Sequence, residues 1–278
     1  MTSPEKVAHA QFTASIPANY DRYLGPVIFD PYARDLAQRI RRSAPGRILE
    51  TACGSGIATR RLLETLQPDA GLIATDLNPA MLDQARIAIG DDPRVSWEVA
   101  DMCNLNFESA SFDAVVCQFG IMFAPDKAAA LREAHRVLRL GGQFLFNVWD
   151  TIDKNRFASI AHETITRLFP ADPPTFYETP FGFHDRQLIR TMLESAGFSH
   201  INDVVVSTRS QSPSAEEFAR GLVEGNPVVN EIQARGGASV DEVVKQLAAS
   251  ITKKLGGRPV PVHLQAIVFE AQSVDPTR

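Results

Sequence analysis

A glycine-rich turn is the segment of this 278-residue sequence best suited to approach a ligand closely. Residues 50–56 (ETACGSG) follow an apolar run typical of a buried strand and precede a helical pattern. Glycines permit a tight turn and a close approach to the backbone. The first turn of the following helix would also offer free N–H groups to a negative group. A purely structural turn is the alternative, because many strand–helix connections contain a glycine pair.

Asp76 is the second candidate ligand-binding residue, because it ends the second predicted strand after the glycine turn. A carboxylate at this place can accept hydrogen bonds from both ribose hydroxyls of an adenosine. Alternatively, Asp76 or Asn78 caps the helix that follows. NAD-binding loops favour the motif Gly-x-Gly-x-x-Gly. Gly54 and Gly56 match its first two glycines, but the third position is Thr59. An NAD-dependent oxidoreductase is therefore the weaker alternative.

Alternating apolar and amphipathic segments must position these residues. Strands are predicted over residues 47–52, 72–76, 95–99, 112–118, 143–149, 201–207 and 263–271. Helices are predicted over residues 56–66, 79–89, 127–138, 157–168, 185–196, 215–224 and 240–255, with Gly141 and Gly142 ending the helix before the fifth strand. Strands that alternate with helices indicate βαβ units and a parallel sheet, so the predicted class is α/β.

The overall composition excludes several other classes of protein. The net charge of −5 lacks the basic character expected for strong non-specific nucleic-acid binding. Three scattered cysteines form neither a disulfide framework nor a CxxC metal site, so no metal is predicted. No apolar run approaches the roughly 20 residues of a membrane helix, and the first residues lack a signal pattern. We expect a cytoplasmic protein without membrane insertion, and its oligomeric state stays open.

Five segments in order resemble the motifs of the class I S-adenosylmethionine-dependent methyltransferases. More narrowly, they are similar to the type 11 branch, which contains the ubiquinone/menaquinone-biosynthesis enzymes. The segments are residues 48–56 (ILETACGSG), 73–86 (IATDLNPAMLDQAR), 99–107 (VADMCNLNF), 112–123 (FDAVVCQFGIMF) and 132–146 (REAHRVLRLGGQFLF). The resemblance implies a Rossmann-like methyltransferase fold. Its mostly parallel seven-stranded sheet would have an antiparallel last strand and helical cover insertions.

The resemblance also implies which residues contact S-adenosylmethionine, with S-adenosylhomocysteine as the product. Those at the methionine end would be Glu50, Ala52, Gly54 and Gly56. Those around the adenosine would be Asp76 on the ribose, Met81 on the adenine, and Asp101 and Met102 at the adenine edge. Those near the transferable methyl group would be Gln118 and Phe119. The family usually has glycine in place of Ala52, so some crowding is expected near the methionine moiety.

Aromatic residues and one histidine are candidates for a cover over this site. Tyr20 and Tyr23 are three residues apart and would share a helix face, with Tyr20 on the cofactor and Tyr23 near the acceptor. The alternative is packing of this helix on the sheet. Phe123 and His184 are further acceptor candidates, for which core packing and loop structure are the respective alternatives.

We predict a single domain over residues 1–278. Residues 47–149 form its cofactor-binding core, and residues 201–207 and 263–271 complete the sheet. Cover segments would come from residues 1–45, 150–200 and 208–262. The Phe- and Pro-rich loop 169–183 favours a small, partly apolar acceptor, and the acidic net charge argues against a nucleic-acid partner. Methyl transfer would be a direct displacement achieved mainly through positioning. No catalytic base can be assigned, and a non-catalytic cofactor-binding protein is the alternative.

Overall fold

The computed structural model describes residues 9–12 and 15–274 and contains seven strands. They are β1 (Arg47–Glu50), β2 (Gly71–Asp76), β3 (Val95–Val99), β4 (Phe112–Gln118), β5 (Leu138–Trp149), β6 (Phe198–Ser212) and β7 (Val260–Ser273). They form one sheet in the order β3-β2-β1-β4-β5-β7-β6, in which β7 runs antiparallel to β5 and β6. The predicted α/β class, with a mostly parallel sheet and an antiparallel last strand, is confirmed.

Helices connect and flank these strands. They are α1 (Ile16–Asn19), a π-helical segment (Tyr20–Phe29), α2 (Asp30–Ile40), α3 (Ile57–Thr65), α4 (Pro79–Ile89), α5 (Lys127–Val137), α6 (Arg156–Leu168), α7 (Glu178–Phe181), α8 (Arg186–Ser195), α9 (Ala215–Glu224), α10 (Val228–Arg235) and α11 (Val240–Leu255). Asp126, Asp185, Ser214 and Ser239 accept backbone hydrogen bonds at the starts of α5, α8, α9 and α11, as such residues commonly do.

Strand β4 separates the two faces of the hydrophobic core. Ala114 and Val116 pack with α2 and α3, whereas Val115 and Cys117 belong to the core on the opposite face. This alternation follows from the two-residue period of a strand. Because both faces are covered, β4 is a continuous apolar run in the sequence, as buried parallel strands are.

The start of β5 differs from the prediction. Leu138 does not end the preceding helix but pairs with Phe112 in the sheet, after which the register shifts to Ala114 opposite Gln143. Gly141, with φ of +79°, lies within this irregularity. The glycines therefore accommodate a bulge inside a strand, which a pattern based on helix stop signals cannot distinguish from a helix end.

Strands β6 and β7 are longer than the apolar runs that predicted them. They pair from Phe198 opposite Ser273 to Ser212 opposite Val260. Along most of β6, residues of greater and lesser exposure alternate, because this edge strand is covered on one face only. Polar residues on the open face hide its ends from a search for apolar runs.

The segment between α1 and α2 winds as a π-helix, with the Asp30 N–H donating to the Gly25 carbonyl five residues earlier. Tyr20 and Phe29, nine residues apart, stack with ring centroids 4.5 Å apart. In an α-helix of 3.6 residues per turn they would be about two and a half turns apart, on opposite faces. The wider winding therefore brings both rings to one side.

Candidate functional site

The candidate site lies where the carboxyl ends of β1, β2 and β4 meet. In the sheet order, the chain continues from β1 to β2 on one side, while β4 pairs with β1 on the other. Open α/β sheets bind ligands at such a switch point, outside the carboxyl ends of the strands. The glycine turn follows β1, and Asp76 ends β2, so the two predicted features are neighbours in space.

The glycine turn is fixed by hydrogen bonds to the adjoining strands. The Cys53 N–H donates to the Thr75 carbonyl over 2.9 Å, and the Gly54 N–H donates to Asp76 Oδ2 over 2.9 Å. Gly54 has φ of +58°, and a Cβ at its position would meet nothing within 4 Å. The turn thus presents open backbone to the space in front of it.

Ala52 adopts a φ of +52°, which glycine would adopt with less strain. Its methyl group restricts a neighbour after β4, because a Cβ added at Gly120 would lie 2.4 Å from Ala52 Cβ. The Ala52 methyl group therefore leaves no room for a side chain at Gly120. Gly120 lines the cavity described below, and sequence reasoning missed it. A lone glycine after a strand gave no signal of this contact.

Asp76 is buried, with 6% of its surface exposed, and both carboxylate oxygens bind backbone N–H groups. Asp76 Oδ1 accepts from the Asn78 N–H over 2.8 Å. Burial raises the pKa of this carboxyl, and hydrogen bonds from Asn78 and Gly54 oppose the rise. The Asn78 side chain makes no capping bond to α4. Asp76 therefore joins the turn after β1 to the turn after β2. Neither Asp76 nor Asn78 makes the predicted side-chain capping bond to α4.

A cavity of about 350 Å³ opens in front of these turns, and we call it the larger cavity. Its volume lies within the roughly 300–1,000 Å³ typical of small-molecule sites. Most of the predicted site residues line it. They are Tyr20, Ala52, Gly54, Asp76, Met81, Asp101, Met102, Gln118, Phe119 and Phe123. The carboxylates of Asp76 and Asp101 give it a polar region, while the remaining wall is largely apolar or aromatic.

A second cavity, of about 50 Å³, adjoins the first, and we call it the aromatic cavity. Its lining comes from the N-terminal segment, the turn after β4, the end of β5, and the helices and loops above the sheet. The residues that it does not share with the larger cavity are Ile28, Phe29, Met122, Trp149, Phe157, Phe176, Tyr177, Pro180, Phe181, Leu222 and Asn226. Phe12, Tyr20, Phe119 and Phe123 line both cavities and form the partition between them.

Tyr20 stands at this partition, stacked on Phe29 and edge-on to Phe12 at 5.8 Å between ring centroids. Burial raises its pKa well above the ordinary value, and the negative charges of Asp76 and Asp21 raise it further. The hydroxyl therefore keeps its proton near neutral pH. It can donate a hydrogen bond to a ligand but cannot serve as a base.

The turn after β4 holds Phe119 against the partition. Its φ of +50° is unusual for an aromatic residue, and its N–H donates to Asn147 Oδ1 over 2.9 Å. The Phe119 ring stacks on Trp149 with centroids 4.0 Å apart. Gln118 Oε1 and Asn147 Nδ2 are buried and find no hydrogen-bond partner among the residues that the structure describes. Asn147 and Trp149 were missed by sequence reasoning, because their roles depend on the pairing of β5 with β4.

Glu50 and Gly56 do not line the larger cavity. Glu50 is fully buried behind the turn, where Thr59 Oγ1 donates to Glu50 Oε2 over 2.7 Å. Within residues 9–12 and 15–274, Glu50 Oε1 has no hydrogen-bond partner. Burial raises its pKa to about 8. A Cβ at Gly56 would lie 3.1 Å from Ala85 Cβ, so this glycine permits the close approach of α3 and α4. The structure thus gives both residues supporting positions rather than the predicted direct contact.

Tyr23 and His184 also lie outside both cavities. The π-helical winding separates Tyr23 from Tyr20, and Tyr23 packs beside Gly221 of α9 with the Arg22 guanidinium over its ring. The prediction of a shared helix face assumed α-helical spacing, whereas this segment winds as a π-helix. His184 Nδ1 lies 2.8 Å from the Phe181 carbonyl oxygen, an interaction within its own loop. Loop structure is therefore its observed role.

Within residues 9–12 and 15–274, no helix combines the length and the apolar character needed to cross a membrane. In the same part of the chain, no three His, Cys, Asp or Glu side chains gather into a metal-binding group.

Comparison with known proteins identifies relatives of the cofactor half and of the whole fold. Residues 48–142 match the family described as "Methyltransferase domain". A ubiquinone/menaquinone biosynthesis C-methyltransferase UbiE from Methylobacterium nodulans is 30% identical over 183 residues, which cover 62% of this chain and 73% of that protein. The UbiE protein of Geobacter sp. strain M21 is 25% identical over 202 residues, which cover 67% and 86%.

Solved structures share the fold at low sequence identity. The YcgJ protein from Bacillus subtilis superposes with a TM-score of 0.56 at 17% identity, covering 87% of this chain and 99% of that one. The [4+2]-cyclase SpnF gives a TM-score of 0.54 at 16% identity, covering 88% and 81%. Because one of these proteins is named for a cyclisation, the fold alone does not decide which reaction is catalysed.

Proposed function

The chain belongs to the class I S-adenosylmethionine-dependent methyltransferases, in the branch of the UbiE-like enzymes, and we propose that it methylates a small aromatic acceptor bound in the aromatic cavity. The observation that carries this proposal is the pairing of two cavities across one partition. One cavity combines carboxylates with open backbone, and the other is lined mostly by aromatic side chains. Such a pairing suits a polar cofactor beside an apolar acceptor.

S-adenosylmethionine supplies an electrophilic methyl group on a positively charged sulfonium. The residues of the larger cavity fit this cofactor in volume and in chemistry. Asp76 would accept from the ribose hydroxyls, because a carboxylate oxygen that already binds one backbone N–H retains a free lone pair. Met81 would pack on the adenine, and Asp101 with Met102 would border its edge. Ala52 and Gly54 would face the methionine end.

Gln118 and Phe119 would act where the two ligands meet. Phe119 is held by Asn147 and Trp149, so its ring offers a fixed wall against which an acceptor can be aligned. Gln118 lines the larger cavity beside this wall. Alignment of two reactants in one site can contribute roughly 7–11 kcal/mol toward a displacement reaction.

The described lining of the aromatic cavity holds no carboxylate, histidine or lysine, and its titratable groups are Tyr20 and Tyr177. Burial raises the pKa of both hydroxyls above the ordinary value, so both keep their protons near neutral pH. These residues therefore exclude water and donate hydrogen bonds rather than accept a proton. The acceptor must supply a reacting atom that is already nucleophilic.

A hydroxylated aromatic ring that enters as its phenolate, with its proton already released to solvent, meets this requirement, because the ring fits the aromatic walls and the negative charge makes its oxygen and ring carbons nucleophilic. Attack on the methyl group breaks the carbon–sulfur bond and leaves S-adenosylhomocysteine. After attack by a ring carbon, the proton on that carbon is lost through solvent and the phenolate or phenol is restored. The UbiE relatives are ubiquinone/menaquinone biosynthesis C-methyltransferases, which supports a quinone-related acceptor. We propose this class for the acceptor. The cytoplasmic location and the absence of nucleic-acid partners stay predictions, as does the single-domain organisation.

The volume of the aromatic cavity favours a second candidate, a cofactor-binding protein that transfers no methyl group. About 50 Å³ is too small for a complete aromatic acceptor, so the walls must separate before one enters. A protein whose walls never separate would bind the cofactor without turning over.

Calorimetric titration with S-adenosylmethionine, S-adenosylhomocysteine and NADH tests the cofactor first. We expect the two sulfur compounds to bind and NADH to give no signal. Transfer of a labelled methyl group to a panel of hydroxylated aromatic compounds then tests the acceptor. Binding without transfer to any member would favour the second candidate, whereas binding of NADH alone would overturn both proposals.

A further inference from the structure

His9 is buried although it lies near the chain's first residue, with 3% of its surface exposed. Its Nδ1 lies 2.6 Å from Thr179 Oγ1, and its Nε2 lies 3.1 Å from Glu231 Oε1. Glu231 is on α10, and its other oxygen accepts from the Thr175 N–H over 2.8 Å. One histidine thus connects the N-terminal segment to two separate parts of the cover.

The residues after His9 close one side of the larger cavity. Ala10, Gln11 and Phe12 all line it, and we call residues 9–12 the N-terminal strap. Asn78 binds the strap from below: its Nδ2 donates to the Ala10 carbonyl over 3.0 Å, and its Oδ1 accepts from the Phe12 N–H over 3.3 Å. The strap therefore bridges from the turn after β2 to the cover.

The same histidine contacts the wall of the aromatic cavity. The His9 ring packs edge-on against Phe176, with centroids 5.8 Å apart, and Phe176 stacks on Phe123 of the partition. Phe12 meets Phe123 from the other side, also edge-on, at 6.0 Å. Displacement of His9 would loosen one wall of each cavity at once.

We propose that His9 is a positioning residue whose contacts with Glu231 and Thr179 latch the N-terminal strap across the larger cavity and thereby retain the cofactor. This inference rests on the proposed function, since it assigns a regulation of access to the same site. His9 lines neither cavity, so it acts through Phe12 and Phe176 rather than on a reacting atom. Each opening of the latch lets the cofactor exchange.

The test compares His9→Ala and Glu231→Gln, one on each side of the latch, by titration with S-adenosylhomocysteine and by stopped-flow release of that compound. In both variants we expect the dissociation constant to rise about tenfold, because each substitution removes the 3.1 Å contact between His9 Nε2 and Glu231 Oε1. Most of the change should appear as faster release. The double variant should bind no more weakly than His9→Ala, because both substitutions break one contact.

Asp172→Asn is the matched control. Asp172 pairs with Arg235 of α10 at 3.1 Å, so it joins the same helix to the same loop without touching the strap. The Asp172→Asn variant should bind and release S-adenosylhomocysteine with the wild-type affinity and rate. In turnover assays the latch variants should raise KM for S-adenosylmethionine with little loss of kcat, whereas general damage would lower kcat and the unfolding temperature together.

Hydrogen exchange at the Phe12 amide provides a second measurement that needs no ligand. We expect exchange at this amide to be faster in His9→Ala and Glu231→Gln and unchanged in Asp172→Asn. Unaltered release and unaltered exchange in folded variants would overturn the latch. If the wild-type protein fails to bind S-adenosylhomocysteine while the amide result holds, the proposed function fails and the latch of the strap stands.

Discussion

The larger cavity and the aromatic cavity share a partition but are assembled from different kinds of chain segment. Most residues of the larger cavity come from turns after β1, β2, β3 and β4, each placed by the strand before it. The aromatic cavity collects side chains that extend along the chain from Phe12 to Asn226. The first is a product of local strand–turn–helix units, and the second forms only when distant segments dock.

This difference predicts unequal responses to substitution. Changes at strand ends should act on cofactor affinity, because hydrogen bonds fix those turns. Changes in the cover that touch neither the N-terminal strap nor the partition should act on the acceptor and on stability, because side-chain packing fixes most of that region. The following substitutions test this separation.

The largest effect is expected for Asp76→Ala. The substitution removes the acceptor of the Gly54 and Asn78 N–H groups together with the proposed ribose contact. We expect affinity for S-adenosylhomocysteine to fall roughly 100-fold or more, since hydrogen bonds to a charged group contribute roughly 1.5–3 kcal/mol each. Calorimetry measures the loss. Asp76→Asn should retain part of the affinity, and equal binding by both variants and the wild type would contradict the assignment.

Tyr20 tests the partition itself, with an expected effect of about tenfold on cofactor affinity for Tyr20→Ala. This substitution removes the ring that stacks on Phe29 and closes the larger cavity. Tyr20→Phe keeps the ring and isolates the contribution of the hydroxyl. Titration with S-adenosylhomocysteine provides the readout. If neither variant changed the affinity, Tyr20 would have no role in cofactor binding.

Glu50 should make stability depend on pH. Folded Glu50 has a pKa raised to about 8 by burial, against an ordinary 4.5. The folded state therefore binds more protons between these values, and the free energy of unfolding falls as pH rises through that window. As the pH rises from 5 to 8, we expect the free energy of unfolding of Glu50→Gln to increase by about 1 kcal/mol or more relative to that of the wild type. Urea unfolding at several pH values measures this difference.

The exposed strand residue Glu98 offers a matched control for that experiment. Glu98→Gln removes a carboxyl group from the surface and should leave the wild-type pH dependence in place. Parallel curves for the wild type and Glu50→Gln would show that the buried carboxyl does not set the slope.

The smallest effect on the cofactor is expected for Phe181→Leu. Phe181 lines only the aromatic cavity, where it packs against Trp149 and Phe157. The smaller side chain should cost about 1 kcal/mol of stability and alter KM for the acceptor. The dissociation constant of S-adenosylhomocysteine should stay within about twofold, because Phe181 does not line the larger cavity. A comparable loss in cofactor affinity would show that the two cavities are not separable.

Sequence reasoning placed correctly those residues whose positions depend only on neighbouring strands and turns in the chain. The turn after β1 and the carboxylate ending β2 are neighbours in any parallel βαβ unit, so Gly54 and Asp76 could be placed together in advance. Glu50 and Gly56 belong to the same motif but lie behind the turn. The motif alone does not indicate which of its residues face the cavity, so this difference could not be predicted. Tyr23 was predicted near the acceptor but lines neither cavity, because no sequence pattern indicated the π-helical winding.

The sequence by itself determined the sheet, the turns at its carboxyl edge and the cofactor class, since these depend on periodicity and on motifs within about a hundred consecutive residues. Only the tertiary structure decided the aromatic cavity, the inward position of Glu50 and the burial of His9. Each of these depends on contacts between residues far apart in the chain, such as His9 with Glu231. No local pattern encodes such a contact, because its energy is realised only when the cover has packed onto the sheet.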